Sequence, residues 1–116
     1  MIARPMAQML VRATAPLDDI TFVLQTNSRA VNESVVRVAI IDGEYHWHKH
    51  DEDDEFFYVV EGKLVIDLRI ELKDSTVELA PRQGFVVPRG VVHRTRAPQR
   101  TVILMVENAG IIPTGN

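Results

Sequence analysis

Three of the four histidines fall within seven residues, EYHWHKH, as His46, His48 and His50. Read as a strand, this segment sends alternate side chains to one side. The three imidazoles then share a face, while Tyr45, Trp47 and Lys49 share the other. Imidazoles at i and i+2 on a rigid strand can bring their nitrogens to one ion without distorting the backbone, and imidazole suits zinc, copper, iron and nickel. Five residues after His50 stands Glu55, beyond an acidic turn at 51–54. A hairpin there folds its carboxylate back beside the histidines, as a hard anionic ligand or as a base next to bound substrate. The fourth histidine, His93, follows Pro88 and Gly90, a pair that sets a tight turn because proline fixes φ and glycine tolerates positive φ. A sandwich brings the strand of His93 opposite that of His48. His-x-His alone is weak evidence, but with Glu55 and the distant Pro-x-Gly-x-x-His it makes a metal site the expected reading. His46 is a further inward-facing imidazole, read as a proton shuttle, a substrate contact or an extra ligand, or as a core histidine satisfied by a neighbour.

The elements that must hold these groups read as strands. Residues 33–41 are rich in β-branched side chains and close at the turn dipeptide Asp42-Gly43. Residues 44–50 follow as a second strand, and 56–60 as a third ended by Glu61-Gly62. Residues 63–72 alternate, with Leu64, Ile66, Leu68, Ile70 and Leu72 on one face and Asp67, Arg69 and Glu71 on the other. A turn is expected at 73–75, then strands at 76–79, 85–87, 91–96 and 101–107. Before residue 32, Pro5 and Pro16 break any long helix, and a short strand is expected at 21–24. Short strands at regular spacing with no long helix predict an all-β antiparallel sandwich or small barrel.

Composition narrows the function. At 116 residues the chain is one domain. With no cysteine, disulfides, iron–sulfur clusters, thiolate zinc sites and thiol nucleophiles are excluded. A net charge of −3 argues against a nucleic-acid partner. This holds although residues 81–106 carry five arginines, Arg82, Arg89, Arg94, Arg96 and Arg100, and no acid. No apolar run approaches the roughly 18 residues of a membrane span. The opening residues lack the continuous apolar middle of a signal peptide, so a cytoplasmic location is expected, or a secreted one where a leader is removed.

Two stretches carry a family resemblance. GEYHWHKHDEDDEFFYVVEG, residues 43–62, and GFVVPRGVVHRTRA, residues 84–97, resemble the two motifs of the cupin superfamily, and in particular of its small single-domain members. Gly43 lies one residue nearer His48 than the motif prescribes, Arg82 stands where the second motif has its first glycine, and Ala97 replaces a frequent asparagine. These departures touch turns rather than ligand positions. The resemblance implies a jelly-roll β-barrel with its core over residues 35–106. It implies a mononuclear metal in the barrel mouth on His48, His50, Glu55 and His93, and a homodimer. Residues 1–32 are expected in the dimer contact, because an exposed β edge needs covering.

Affinity of such a nitrogen-rich set peaks at copper(II), with iron(II), manganese, nickel and zinc following as cellular supply allows. Three function classes fit. The first is an oxidoreductase in which copper or iron activates dioxygen or peroxide, on a small-molecule substrate such as a carbohydrate, with Glu55 and His46 as catalytic groups. The second is a non-redox isomerase or lyase of a small sugar or sugar acid, using the metal as a Lewis acid and a rim arginine, Arg89 or Arg94, to hold an anionic group. Arg94 and Arg96 alternate away from His93 and are expected to face solvent or a partner. The third is a metal- or sugar-binding module without turnover. Trp47 and Tyr45, expected to face away from the metal, read as packing rather than as a sugar platform.

Overall fold

The computed structural model describes residues 11–14, 23–112, 114 and 115. Every regular element among them is a strand: β1 Val11–Thr14, β2 Val23–Val31, β3 Ser34–Glu44, β4 Glu55–Glu61, β5 Leu64–Ile70, β6 Lys73–Leu79, β7 Gly84–Val87 and β8 Val92–Asn108. No helix of the described residues is long and apolar enough to cross a membrane. The strands are joined in the order β1-β2-β3-β8-β4-β7, all antiparallel, with β5 pairing β8 and β6 pairing β5. The architecture is the expected all-β jelly-roll.

Its organising feature is a long ribbon made by β3 and β8. The two strands pair from Ser34↔Asn108 to Ile41↔Thr101, lose register, and resume at Gly43↔Ala97 and Glu44↔Arg96. At the irregularity, one residue of β3, Asp42, faces Pro98, Gln99 and Arg100. Proline belongs there because its missing N–H costs no ladder bond, and Gly43 takes a φ of +97° that suits glycine. A straight strand would hold residues 93 and 107 roughly 46 Å apart. Both reach Glu55 instead, because the ribbon folds over at this corner. The β8 half from 101 to 108 pairs with β4 in one layer, and the half from 92 to 96 pairs with β5 in the other.

Alternation fills the space between the layers. Ala39 and Ile41 of β3, Phe57 and Val59 of β4, Leu64, Ile66 and Leu68 of β5 and Ile103 of β8 are all buried in one cluster. Burial of each large aliphatic side chain contributes on the order of 1.5–3 kcal/mol. Gly62, φ +94°, lets the β4–β5 connection run against β8: a Cβ there would sit 2.5 Å from Thr101 Oγ1 and 2.9 Å from the Arg100 carbonyl oxygen. The Thr101 hydroxyl uses that closeness to accept from the Lys63 amide at 3.1 Å.

Several boundaries differ from the sequence reading. Asp42-Gly43 is a bulge inside β3, not a turn. Residues 45–50 form no ladder beyond an isolated bridge, His48↔His93, so period-two alternation does not govern them. The strands expected at 91–96 and 101–107 are one bent strand. The β5–β6 turn lies at Glu71 and Leu72, with φ of +52° and +66°, rather than at 73–75. Leu72 is consequently 98% exposed and Ile70 half exposed, not core. The strand expected at 21–24 overlaps β2 from Val23, while Thr21 and Phe22 lie outside the described residues. Within this chain β2 pairs the outer edge of β3.

Candidate metal centre

The bridge between His48 and His93 sets the site. The His48 amide donates to the His93 carbonyl at 2.9 Å and the His93 amide returns the bond at 2.8 Å. This puts the two rings side by side, with centroids 4.4 Å apart. Two residues on, the His50 ring lies 4.9 Å from that of His48 and 5.8 Å from that of His93. A second clamp fixes the loop beyond it. The Gly90 amide donates to the His50 carbonyl at 2.7 Å, and the Arg89 amide donates to Asp54 Oδ1 at 2.9 Å. The acidic run therefore ties the His50–Glu55 loop to the Pro88–Gly90 turn, and Glu55 enters β4 facing inward.

Four groups converge. One ligand atom from each of His48, His50, Glu55 and His93 lies within 4.8 Å of the others. Glu55 Oε1 is 3.1 Å from His93 Nε2 and 3.5 Å from His50 Nε2. His50, Glu55 and His93 are buried and His48 partly so.

The hydrogen bonds around the rings fit a metal. Nδ1 of His93 donates to the Val91 carbonyl at 2.9 Å, and Nδ1 of His48 donates to the His46 carbonyl at 2.9 Å. A hydrogen on Nδ1 leaves Nε2 with its lone pair toward the site, the tautomer a ligand needs. His50 has both ring nitrogens buried without a hydrogen-bond partner among the described residues. An unsatisfied buried polar atom costs about 1–3 kcal/mol, and coordination of a cation removes that cost. Burial, chiefly, lowers the His48 pKa to about 4, which keeps the ring neutral and able to coordinate.

Beneath Glu55 lies a pair the sequence reading missed. Glu107 of β8 is directly opposite Glu55 of β4, buried, and hydrogen-bonded to it. Arg37 Nε donates to Glu107 Oε1 at 2.9 Å. Burial and the neighbouring Glu55 raise Glu107 to about 8, against the pull of Arg37. Burial also works to raise Glu55, but the His93 ring against it, the neighbouring Glu107 and the nearby imidazoles outweigh it and hold that carboxyl below its ordinary value. The signal was present in the alternation. Thr101, Ile103, Met105 and Glu107 share the inward parity of β8, as Arg37, Ala39 and Ile41 do on β3, so two opposite charges stand on core-facing positions.

Other expectations are corrected. His46 stands at the rim beside the site, its ring centroid 5.2 Å from that of His48, rather than inside the barrel. It is exposed, and its Nε2 lies 3.1 Å from the Thr114 carbonyl oxygen, because the chain leaves strand geometry after Glu44. For the same reason Tyr45 is not on the far side: its ring stands edge-on to His48 at 5.2 Å and packs on the core. Trp47 does face away, and Arg69 and Arg94 lie over its ring at 4.5 and 5.0 Å. Arg94 and Arg96 do alternate away from His93 onto the outer face, their side chains 28% and 35% exposed, and there they grip the buried Asp67, with Nε to Oδ2 distances of 2.8 and 2.6 Å. Arg89 is committed to Asp54. The arginines proposed to hold an anionic substrate are thus engaged in ion pairs.

Comparison with known proteins agrees with this geometry. A family model described as a cupin domain matches residues 35–107. The YdbB protein of Bacillus subtilis strain 168 is 45% identical over 78 residues, 67% of this chain and 66% of that protein, so the match spans slightly under two thirds of the relative's length. A cupin-2 domain protein from Shewanella frigidimarina is 29% identical, with a TM-score of 0.63 over 71% of this chain and 79% of that one. The structure of Fe(II)-HppE with an alternative substrate has a TM-score of 0.69 at 14% identity, over 92% of this chain and 60% of that one. That last likeness is one of fold.

Proposed function

The chain belongs to the cupin family, and from that premise we propose that it is a metal-dependent oxidoreductase acting on a small-molecule substrate, with one transition metal on His48, His50, Glu55 and His93. The observation that carries this reading is the convergence of three imidazoles and a single carboxylate, with His50 buried and without a hydrogen-bond partner among the described residues. Such a nitrogen-rich, carboxylate-poor set suits copper or iron and not magnesium or calcium, which take oxygen ligands. Copper or iron held there supplies activation of dioxygen or peroxide. A structural neighbour, Fe(II)-HppE, carries iron(II) on the same fold; fold likeness alone does not choose a reaction.

The chain's own groups divide the work. His48 and His93 present Nε2 because each gives its Nδ1 hydrogen to a backbone carbonyl. Glu55 Oε1, between His50 and His93, belongs to a carboxyl held below its ordinary value, so it serves as an anionic ligand or accepts a proton at the site. His48 is the least buried of the four, so substrate approaches past it and Tyr45. Burial, with the Glu55 charge, raises the Tyr45 pKa, which keeps the phenol a proton donor at neutral pH. Carbohydrates are the first substrate class to examine.

The test is electron paramagnetic resonance on protein purified without a histidine tag, paired with oxygen-uptake assays across a substrate panel. A copper(II) signal with nitrogen hyperfine structure, or oxidisable iron, together with substrate-dependent oxygen consumption, is the expected result. A redox-silent metal with turnover that survives zinc exchange and needs no oxygen turns the reading to the non-redox isomerase or lyase.

A further inference from the structure

Arg37, Glu107 and Glu55 form an inward-facing row across three neighbouring strands. β8 lies between β3 and β4 in the sheet, and Glu107 is in register with Glu55 on one side and Val35 on the other. Arg37 is two residues along β3 from Val35, on the same face, and its Nε reaches Glu107 Oε1 at 2.9 Å. The Glu107 side chain is 3% exposed and that of Arg37 24%. Two acidic side chains placed opposite one another repel when both are charged, and the buried surroundings sharpen that cost. An apolar residue at 107 would serve packing better, so the arrangement calls for a role in the site. Ligating carboxylates are themselves held by hydrogen bonds, and those outer partners govern affinity.

We propose that Glu107, braced by Arg37, is the positioning residue that fixes the Glu55 carboxylate against the three imidazoles. This rests on the metal-centre reading above. Glu107 touches neither the imidazoles nor substrate in this scheme; it acts through Glu55. Its place directly opposite Glu55 is the working part, so a glutamine at 107 keeps a polar group against the Glu55 carboxylate while a leucine removes it.

Cobalt(II) is the probe, since its visible absorption reports the number and arrangement of ligands without turnover. Wild type, Glu107→Gln, Glu107→Leu and Arg37→Met are titrated with cobalt(II), with circular dichroism checking the fold of each metal-free protein. Glu107→Leu is expected to bind ~10–100-fold more weakly and to show an altered visible spectrum. Glu107→Gln should keep the wild-type spectrum and bind within about threefold of it. Arg37→Met, which leaves the buried pair in place without its brace, should fall between, and it decides the matter if Glu107→Leu does not fold. Native affinity and spectrum in the folded Leu and Met variants overturn this inference alone. Failure of wild type to bind cobalt(II) overturns the metal-centre reading with it.

Discussion

His50 is the residue on which the site's chemistry is most exposed to test. It is 2% exposed, and neither ring nitrogen has a hydrogen-bond partner among the described residues, so coordination gives one of those nitrogens a partner. His50→Ala and His93→Ala should each strip the metal from the protein, while Trp47→Ala, under its two arginines on the outer side, should leave metal content intact by elemental analysis. His48 adds a pH dependence. Its folded pKa, near 4, lies below the 6.5 of a free imidazole. Between those values the unfolded chain binds a proton that the folded chain refuses. The stability of the metal-free protein therefore falls as pH drops from about 6.5 toward 4. Urea midpoints at pH 7.5 and 5.5 should differ less in His48→Gln than in wild type; an equal difference would contradict the assignment. At this scale the sequence was legible for His48, His50, Glu55 and His93, whose types and spacing carry the chemistry. It misplaced Tyr45, and it set His46 inside the barrel rather than at the rim beside His48, because parity counting assumes a strand and the strand ends at Glu44.

The bent ribbon of β3 and β8 does at the level of elements what no single residue can. By folding over at Asp42 and Pro98–Arg100, it brings His93 from one layer and Glu107 from the other to the same carboxylate. The individual strand segments were readable from β-branched runs and turn residues. Their fusion was not, since Asp42-Gly43 and the Pro98 segment look like turns in a chain whose pairing partners are unknown. Asp67 shows the same limit. Its place on the face opposite Ile66 and Leu68 reads as solvent-facing. The structure nevertheless buries it under Arg94 and Arg96, from the neighbouring half of β8, and Thr76 of β6. The Arg96 bond first, then those of Arg94 and Thr76, outweigh burial and hold that carboxyl well below the usual carboxylate range. A lowered folded pKa contributes stability above about pH 4 and loses it as the group is protonated in acid. Asp67→Asn should cost roughly 2–3 kcal/mol at neutral pH, with a shallower loss of stability below pH 4 than wild type, measured by chemical denaturation. A cost under about 0.5 kcal/mol would show the cluster to be an ordinary surface ion pair.

For the whole molecule, the barrel and the centre are thermodynamically one object. His48 and His50 lie outside any ladder apart from the His48 bridge, and the loop that carries them to Glu55 is clamped by only a few bonds to the 88–90 turn. A metal that binds the folded chain alone stabilises it by RT ln(1 + [L]/Kd), about 2.7 kcal/mol at a hundredfold excess over Kd. Treatment with a chelator should accordingly lower the thermal midpoint, and restoring copper or iron should return it; an unchanged midpoint would separate the ion from the fold. The convergence of four side chains from two distant stretches onto one ion is tested most directly by counting that ion. Elemental analysis of untagged protein, before and after reconstitution, should give close to one copper or iron atom per chain. No transition metal above trace in either sample would contradict the account.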